Sequence, residues 1–400
     1  MFFLKKIGCR LFQAAFRLAL PLLPYRAPEI LSSCEEVGKA CQKEGVSSVL
    51  IVTDGGILKN GLTHSLEAAL EGSGIRYAVY GKTRPNPTVE NVEEALSLYR
   101  EAGCRGLIAI GGGSAMDCAK AVGARVAYPK KTLSKMGGVL RITRRLPLLI
   151  AIPTTAGTGS ETTLAAVITE GEKKYALMSF PLIPHYAVLD ATLTRTLPPH
   201  LTATTGMDAL THAVEAYIGR STTKETRRLA LEAVALVFEN LERAYEAGDD
   251  LRAREGMLLA AYKAGIAFSK SYVGYVHAVA HSLGGKYGIP HGLANAVLLP
   301  CVLEAYGTSA SKKLCRLAVA AGVASKEDSA PAGAEKLIEA IRAMNGRMQI
   351  PSALSGIREE DIPALARHAE KEANPLYPVP RLMTAKELEA FYRAVSKGEE

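Results

Sequence analysis

The stretch GLIAIGGGSAMD, residues 106–117, decides the fold of the first half of the chain. Gly106–Ile110 is a short apolar run typical of a β-strand, and the glycines that follow open a helical segment that begins near Ala115. A strand, a glycine turn and a helix in this order are typical of an α/β fold. Glycine lets backbone N–H groups approach an anion, and a helix N-terminus attracts negative charge. The pattern is neither GxGxxG nor a P-loop, so a phosphate-binding turn and a plain strand-to-helix turn both stay open.

Other short apolar runs repeat this pattern on both sides of residues 106–117. They alternate with amphipathic segments, which indicates a mainly parallel sheet covered by helices on both faces. After about Pro198 the chain is rich in Ala, Leu and Glu at helical spacing, and the capping box Thr384–Glu387 opens a last helix. The predicted strands are 48–52, 76–80, 148–152, 165–168 and 187–189, and the predicted helices are 89–102, 115–127, 223–246, 251–270 and 310–323.

The change of pattern near Pro198 predicts two domains, as expected for 400 residues. We predict an α/β N-terminal domain over residues 1–198, with an N-terminal amphipathic helical extension over 1–40. An all-α C-terminal domain is predicted over residues 199–400.

Composition excludes several classes of protein. The net charge is +8, but basic residues are interspersed with acidic ones and Trp is absent, which disfavours binding of nucleic acid. None of the seven Cys belongs to a CxxC pair, which indicates reduced thiols and a cytoplasmic protein. The same spacing excludes a zinc ribbon.

The first 24 residues are apolar and basic, but their charges are spread too evenly for a signal peptide or a spanning helix. Ile7, Leu11, Ala14 and Leu18 follow helical spacing, so we predict an amphipathic helix that packs this stripe on the body of the protein. Peripheral membrane contact through the helix is the less favoured alternative.

A second polar loop, PTTAGTGSE at 153–161, follows the predicted strand 148–152. In open α/β sheets, ligands bind beyond the carboxyl ends of the strands, so two such loops favour a nucleotide site. Asp54 also ends a strand, and its carboxylate would bind a ribose hydroxyl and disfavour a 2′-phosphate. The alternative for Asp54 is an ordinary turn residue in Thr53–Gly56.

Three of the eight His residues lie within residues 277–291. His277 and His281 are four apart in an apolar helical stretch and share one face, and His291 follows a Gly-Ile-Pro break. Asp208 and His212 have the same helical spacing in another segment. One carboxylate and several imidazoles without a thiolate suit Fe²⁺ or Zn²⁺. Any one of these His residues alone is more simply a hydrogen-bonded core residue.

The chain resembles the iron-containing (group III) alcohol dehydrogenases, which share a fold with glycerol dehydrogenase and dehydroquinate synthase. The resemblance runs from about Val46 to Pro300 and is weaker towards the C-terminus. It depends on four motifs in order, which are GGGSAMD (111–117), PTTAGTGSE (153–161), GMDALTHAVEAY (206–217) and HAVAHSLGGKYGIPHGLANAVLLP (277–300).

The resemblance implies a role for each matching residue. The metal ligands would be Asp208, His212, His277 and His291, with Fe²⁺ favoured and Zn²⁺ as the alternative. His281 falls on a second His close to the nicotinamide, and we predict that it relays a proton. The implied cofactor contacts are Asp54, Asn86, Gly112, Gly113, Ser114, Asp117, Thr154, Thr155, Thr158, Val167 and Lys174, with Lys173 as the alternative to Lys174.

The function implied by the resemblance is that of a metal-dependent alcohol dehydrogenase or aldehyde reductase. It would transfer hydride between a small alcohol and NAD, which Asp54 favours over NADP, and it would form a homodimer or larger homo-oligomer. A lyase on the same scaffold, similar to dehydroquinate synthase, and a non-catalytic nucleotide- or metal-binding protein are the alternatives. Lys270 and Tyr272 replace an Asn and a small residue of many relatives, which leaves the identity of the substrate open.

Overall fold

The computed structural model describes residues 2–171 and 173–397, so positions 1 and 400 of the predicted domains lie outside the described residues. Its contacts divide the chain into two compact units. The α/β unit is Pro24–Thr196, and the helical unit combines Met1–Leu23 with Leu197–Glu400. The N-terminal helix therefore groups with the helical unit, whereas the sequence pattern attached it to the α/β domain.

The α/β unit contains a six-stranded sheet and a three-stranded sheet within the described residues. Its strands are β1 (Glu29–Leu31), β2 (Ser48–Val52), β3 (Arg76–Tyr80), β4 (Gly106–Gly111), β5 (Gly138–Val139), β6 (Leu148–Pro153), β7 (Ala165–Glu170), β8 (Lys173–Met178) and β9 (Tyr186–Val188). The larger sheet has the order β1-β9-β6-β4-β2-β3, and each of its pairings is parallel. The predicted parallel sheet is confirmed.

Strands β2, β4 and β6 are buried along their whole length. Alternate residues of β2 enter two different cores, because Leu50 and Val52 pack in one and Val49 and Ile51 in the other. Burial on both faces explains why these strands read as continuous apolar runs instead of alternating ones.

Helices cover this sheet and connect its strands. Helix α5 begins at a capping box in which Thr88 and Asn91 exchange hydrogen bonds. Helix α1 (Phe2–Ala19) belongs to the helical unit, and the helices of the α/β unit are α2 (Val37–Lys43), α3 (Gly55–Lys59), α4 (His64–Gly72), α5 (Val89–Glu101), α6 (Gly113–Ala127) and α7 (Leu133–Met136).

The smaller sheet was predicted only in part, since residues 165–168 were predicted as a strand but β5 and β8 were not. Strands β7 and β8 pair antiparallel, with Glu170 opposite Lys173, and β5 adds parallel to β8. Strand β8 opens with the exposed pair Lys173 and Lys174 and is only partly buried, so it lacks the apolar run that marks the other strands.

The helical unit is built around helix α8, whose residues from Gly206 to Ile218 are all buried. Helices α9, α10 and α12 pack against it. The helices after the α/β unit are α8 (Pro199–Ile218), α9 (Lys224–Glu246), α10 (Leu251–Ser271), α11 (Tyr275–Tyr287), α12 (His291–Tyr306), α13 (Ser311–Ala320), α14 (Ala330–Arg347), α15 (Ile362–Ala373) and α16 (Ala385–Val395). The predicted all-helical second half is confirmed.

Helix α1 forms as predicted, but the prediction of its buried face is wrong. Ile7, Leu11, Ala14 and Leu18 are exposed, whereas Gln13 on the other side of the helix is buried. Hydrogen bonds explain this orientation, because Gln13 Nε2 donates to the carbonyls of residues 375 and 377. Within the described residues, no helix is both long enough and apolar enough to cross a bilayer.

Candidate metal centre and cofactor loops

Three helices of the helical unit bring the predicted metal ligands together. Asp208 and His212 lie one turn apart on buried α8, His277 lies in the first turn of α11, and His291 is the first residue of α12. Helix α11 ends at Gly288, whose φ of 68° lets the chain reverse before α12 begins.

The ligand atoms of these residues converge on the carboxylate of Asp208. Its Oδ1 lies 3.4 Å from His291 Nε2, 3.6 Å from His277 Nε2 and 4.0 Å from His212 Nδ1. One ligand atom from each of the four residues lies within 4.8 Å of all the others. Four ligands at about 2.1 Å around a tetrahedral ion would lie about 3.4 Å apart, so the spacing fits a single metal ion.

Hydrogen bonding around His277 supports the same fit. Its Nδ1 lies 2.6 Å from Glu215 Oε2 and therefore donates to that carboxylate, which directs Nε2 towards Asp208. Nε2 is buried and has no hydrogen-bond partner among the described residues. Burial opposes protonation of His277, yet Asp208 and Glu215 raise its pKa to about 9, so the site attracts positive charge. The residues fit a divalent cation.

Asp208 also keeps its negative charge in this site. Burial alone would raise the pKa of its carboxyl, but His212, His291 and His277 hold that pKa well below the ordinary value. Asn295 Nδ2 donates to Asp208 Oδ1 at 2.7 Å and lies 3.1 Å from His291 Nε2. The carboxylate is thus ionised and fixed in orientation.

Sequence reasoning missed two polar residues of this site, Glu215 and Asn295. Glu215 accepts hydrogen bonds from the backbone N–H groups of Gly274 and Val276 as well as pairing with His277, so it holds the start of α11 against α8. Helical spacing was the available signal, since Glu215 lies three residues after His212 and seven after Asp208 on the same face.

His281 occupies a different position from the four ligands. Its Nδ1 lies 2.6 Å from Glu372 Oε1, which also accepts a hydrogen bond from the hydroxyl of Tyr377. The His281 ring stacks on His291 with centroids 5.2 Å apart, and its side chain is 43 % exposed. His281 therefore borders the metal centre without belonging to the ligand set.

Aromatic residues support the other side of the centre. Phe268 stacks on His212 with ring centroids 4.0 Å apart. Tyr272, which follows α10, has a φ of 60°, a conformation that costs energy for a bulky residue. Its ring contacts Phe16 of α1 and lies 6.2 Å from the ring of Tyr377.

In the α/β unit, the three polar loops predicted to bind the cofactor follow three neighbouring strands. Strands β6, β4 and β2 are adjacent in the sheet, and the residues after them are Thr154, Gly112 and Thr53. The loops therefore share the carboxyl edge of the sheet. Gly111, at the end of β4, has a φ of 147°, and an added Cβ would lie 2.9 Å from Ala115 Cβ.

Asp54 lies at this edge and caps helix α3. Its Oδ1 accepts hydrogen bonds from the backbone N–H groups of Gly56 and Ile57 at 2.8 and 3.1 Å. This capping role agrees with the alternative that the sequence left open for Asp54, that of an ordinary turn residue. Oδ2 points towards Gly111, at 3.6 Å from the position of an added Cβ.

Asn86, Ser114 and Lys174 are brought together from distant parts of the chain. The backbone N–H of Asn86 donates to Ser114 Oγ at 3.3 Å, and Lys174 Nζ donates to Asn86 Oδ1 at 2.6 Å. Asn86 has a φ of 56° between two prolines, which fixes its side chain at this place. Lys174, rather than the alternative Lys173, makes this hydrogen bond.

The other predicted cofactor residues join the loops after β4 and β6. Thr154 N–H donates to Gly111 O at 3.0 Å, and Thr155 and Thr158 pack next to Gly112 and Gly113. Asp117 accepts hydrogen bonds from the Ser160 hydroxyl and from the N–H of Val167. The structure therefore assembles all the predicted cofactor residues on one edge of the α/β unit.

Sequence reasoning also missed Lys120, which lies one turn after Asp117 and is fully buried. Its ammonium donates to the carbonyls of Ser160, Thr163 and Ala165 and to the hydroxyls of Ser160 and Thr163, at 2.7–3.1 Å. Burial lowers the pKa of Lys120 to about 8. A single side chain thus fixes the loop after β6 to helix α6.

Comparison with protein families gives two matches that together span most of the chain. The model described as iron-containing alcohol dehydrogenase matches residues 31–191, and the model of the C-terminal region of the same family matches residues 202–396.

Individual proteins are similar over comparable lengths. The 1,3-propanediol dehydrogenase of Klebsiella pneumoniae is 37% identical over 384 residues, which are 94% of this chain and 98% of that protein. Alcohol dehydrogenase 4 of Saccharomyces cerevisiae is 41% identical, over 85% of this chain and 88% of its own. The solved alcohol dehydrogenase from Oenococcus oeni has a TM-score of 0.88 and 34% identity, covering 93% of this chain and 100% of its own.

Proposed function

The chain belongs to the iron-containing alcohol dehydrogenase family, and we propose that it oxidises small primary alcohols, or reduces the aldehydes, with NAD and Fe²⁺. The convergence of Asp208, His212, His277 and His291 supports this proposal most directly. Family membership identifies an alcohol dehydrogenase, whereas the metal, the nicotinamide cofactor and the alcohol are the proposed part.

The four ligands would hold the ion through one carboxylate oxygen and three imidazole nitrogens. A divalent ion supplies Lewis-acid polarisation of an alcohol or carbonyl oxygen. Zn²⁺ is the alternative, because the same ligand types suit both ions. Glu215 would set the tautomer of His277 by accepting from its Nδ1, and Asn295 would orient Asp208.

His281 is our proposed proton relay. Its Nδ1 donates to Glu372, which leaves Nε2 available to receive a proton from the alcohol, directly or through water. The partly exposed ring can then pass that proton to solvent, and the Tyr377 hydroxyl holds Glu372 in place. We therefore propose His281 for proton movement and not for binding the ion.

The edge of the α/β unit that carries the glycine and threonine loops would bind NAD. Backbone N–H groups at the start of α6 would contact the pyrophosphate, next to Ser114 and Thr158. Asp54 would bind the adenosine ribose through Oδ2, since Oδ1 already caps α3.

The variant Asp54→Asn separates these two roles of Asp54, because asparagine keeps the cap and loses the charge. We expect it to relax the preference for NAD over NADP while the stability of the protein is unchanged. Asp54→Gly, which loses both the side-chain cap and the charge, is the variant for comparison. If Asp54→Asn keeps the ratio of the NAD and NADP activities, Asp54 is a cap alone.

The alternative of a lyase on this scaffold is not supported, because the similar proteins are alcohol dehydrogenases. A cytoplasmic location and a homo-oligomeric state stay predictions. Lys270 pairs with Glu225, and the ring of Tyr272 contacts Phe16. That this segment influences the choice of substrate stays a prediction, and the substrate preference of Tyr272→Ala tests it.

The deciding experiment measures metal and activity on the same protein sample. Protein purified without oxygen should contain about one Fe²⁺ or Zn²⁺ per chain and form NADH with members of a panel of short alcohols. A chelator should abolish NADH formation, and Fe²⁺ should restore it. Bound NAD without NADH formation across the panel would identify a non-catalytic binding protein instead.

A further inference from the structure

Helix α1 presents an apolar stripe to solvent. The stripe consists of Ile7, Leu11 and Leu18, together with Leu22 at the end of the 3-10 turn Leu20–Leu22 that follows the helix, and the three leucines are 66, 79 and 85 % exposed. Single exposed apolar residues are ordinary on protein surfaces, but a row at helical spacing marks an interaction site.

The helical unit fixes α1 with this stripe outward. Gln13 is buried and donates to the carbonyls of Pro375 and Tyr377, while its own carbonyl accepts from the hydroxyl of Ser221. Arg10 donates to the carbonyls of residues 379 and 380. These hydrogen bonds use the opposite side of α1, so burying the stripe on this chain would break them.

A cationic cavity adjoins the same helix. It has a volume of about 490 Å³, and its lining includes Arg17 of α1 together with Arg220 and Lys313. Burial and the charges of Arg227, Arg17, Arg220 and Arg316 lower the pKa of Lys313 to about 8. Five basic side chains, here called the cationic cluster, are therefore close together.

Among the described residues, no acidic side chain forms an ion pair with any of the five members of the cationic cluster. Lys313 donates instead to the carbonyls of residues 218 and 219, at the end of α8, and Arg227 donates to the Thr222 hydroxyl. Uncompensated like charges around a cavity favour an anionic ligand.

We propose that this surface docks on an anionic phospholipid bilayer, with the apolar stripe among the acyl chains and lipid phosphates at the cationic cluster. Apolar residues beside basic ones on a helix are the pattern of proteins that lie in the membrane interface. A second copy of this chain is a poorer occupant, because its stripe would bring an identical cationic cluster towards this one. The inference is independent of the proposed enzyme activity.

Vesicle flotation of the full chain tests the proposal. The protein should float with vesicles in which phosphatidylserine replaces part of the phosphatidylcholine, and should stay unbound with phosphatidylcholine alone. Leu11→Ser with Leu18→Ser should abolish binding. Arg17→Gln, Arg220→Gln and Lys313→Gln together should weaken it by about 100-fold, and salt should weaken the wild type.

Matched controls separate this surface from general effects. Ile30→Ser with Leu251→Ser removes two exposed apolar side chains elsewhere, and it should float like the wild type. All variants should keep the alcohol dehydrogenase activity of the wild type, since no changed residue belongs to the metal centre or the cofactor loops. Thermal unfolding shows that each variant is folded.

Three results would overturn the proposal. The first is that the wild type does not float with anionic vesicles. The second is equal binding to phosphatidylcholine, which would remove the role of the cationic cluster. The third is that Leu11→Ser with Leu18→Ser splits an oligomer in sedimentation without affecting flotation, because the stripe is then an interface between copies.

Discussion

In the helical unit, the carboxylate of Asp208 lies among three imidazoles, whereas in the α/β unit the ammonium of Lys120 lies among five oxygen acceptors. Both clusters are polar, and both are buried except for His291, whose side chain is 40 % exposed. They differ in composition, since the α/β cluster is centred on a lysine, whereas the cluster around Asp208 consists of a carboxylate and imidazoles, the groups that we propose to bind a metal ion. His277 Nε2 has no partner among the described residues, while every acceptor around Lys120 is matched.

This difference indicates what each cluster does. A cation that is covalently part of the chain and saturated with hydrogen bonds holds loops in place and binds nothing further. The converging carboxylate and imidazoles around Asp208 are instead our proposed ligands for a metal ion, and hydrogen bonds with Glu215 and Asn295 fix the direction of His277 and Asp208.

The largest expected effect is at the cluster of Asp208 and its three imidazoles. His277→Ala should lose the bound metal and lower dehydrogenase activity by more than about 100-fold, because a direct ligand contributes more than a supporting residue. Metal content after desalting and NADH formation measure both effects on one sample. His64→Ala, at an exposed His in α4, is the control. A metal-free and fully active His277→Ala protein would remove the metal centre from the mechanism.

Removing the charge of Lys120 should lower the free energy of unfolding and leave the metal content unchanged. Lys120→Met leaves the acceptors of residues 160–165 without their donor in a buried site, which should cost about 3–5 kcal/mol. Urea unfolding measures the loss, and hydrogen exchange of residues 153–167 should increase. Metal content should stay that of the wild type, and Lys336→Met, in a surface ion pair with Asp328, should unfold almost normally.

Two His residues make equivalent contacts to a carboxylate. His277 Nδ1 lies 2.6 Å from Glu215 Oε2, and His281 Nδ1 lies 2.6 Å from Glu372 Oε1. Glu215→Gln weakens the support of a proposed ligand, His277, and should reduce metal affinity by about 10–100-fold. Glu372→Gln changes the pair of His281 and should leave metal affinity unchanged. Competition with a chromophoric chelator measures both. Equal loss of affinity in the two variants would place His281 in the ligand set.

Much of this arrangement could be predicted from residue patterns. Continuous apolar runs identified the buried parallel strands, and the motifs around His277 and Asp208 predicted the cluster of four ligands. Local periodicity carries this information, since strands and helices reveal their buried faces in the order of their residues.

Long-range polar pairing explains what the sequence did not reveal. Nothing in residues 113–127 distinguishes Lys120 from an exposed lysine, because its backbone acceptors are carbonyls 40 to 45 residues away. The exposed stripe of α1 was missed for a related reason. Helical spacing identifies an apolar face, but hydrogen bonds of Gln13 to residues 375 and 377 decide which face packs.

The last expected effect is a pH dependence of stability at Glu161, next to the acceptors of Lys120. Burial raises the pKa of Glu161 from 4.5 to about 7, and its Oε1 has no hydrogen-bond partner among the described residues. Between these pH values the folded state binds more protons than the unfolded state, so the free energy of unfolding should fall as pH rises, by roughly 1 kcal/mol per pH unit.

The variant Glu161→Gln isolates this effect, because glutamine has the same shape and does not ionise. Lys120 keeps its charge throughout the window, since its own pKa of about 8 lies above it. Urea unfolding between pH 4.5 and 7 should therefore give a smaller decrease in stability for Glu161→Gln than for the wild type. If stability depends on pH in the same way in the wild type and in Glu161→Gln, Glu161 is ionised in the folded protein. Its carboxylate would then balance the positive charge of Lys120 together with the five acceptors.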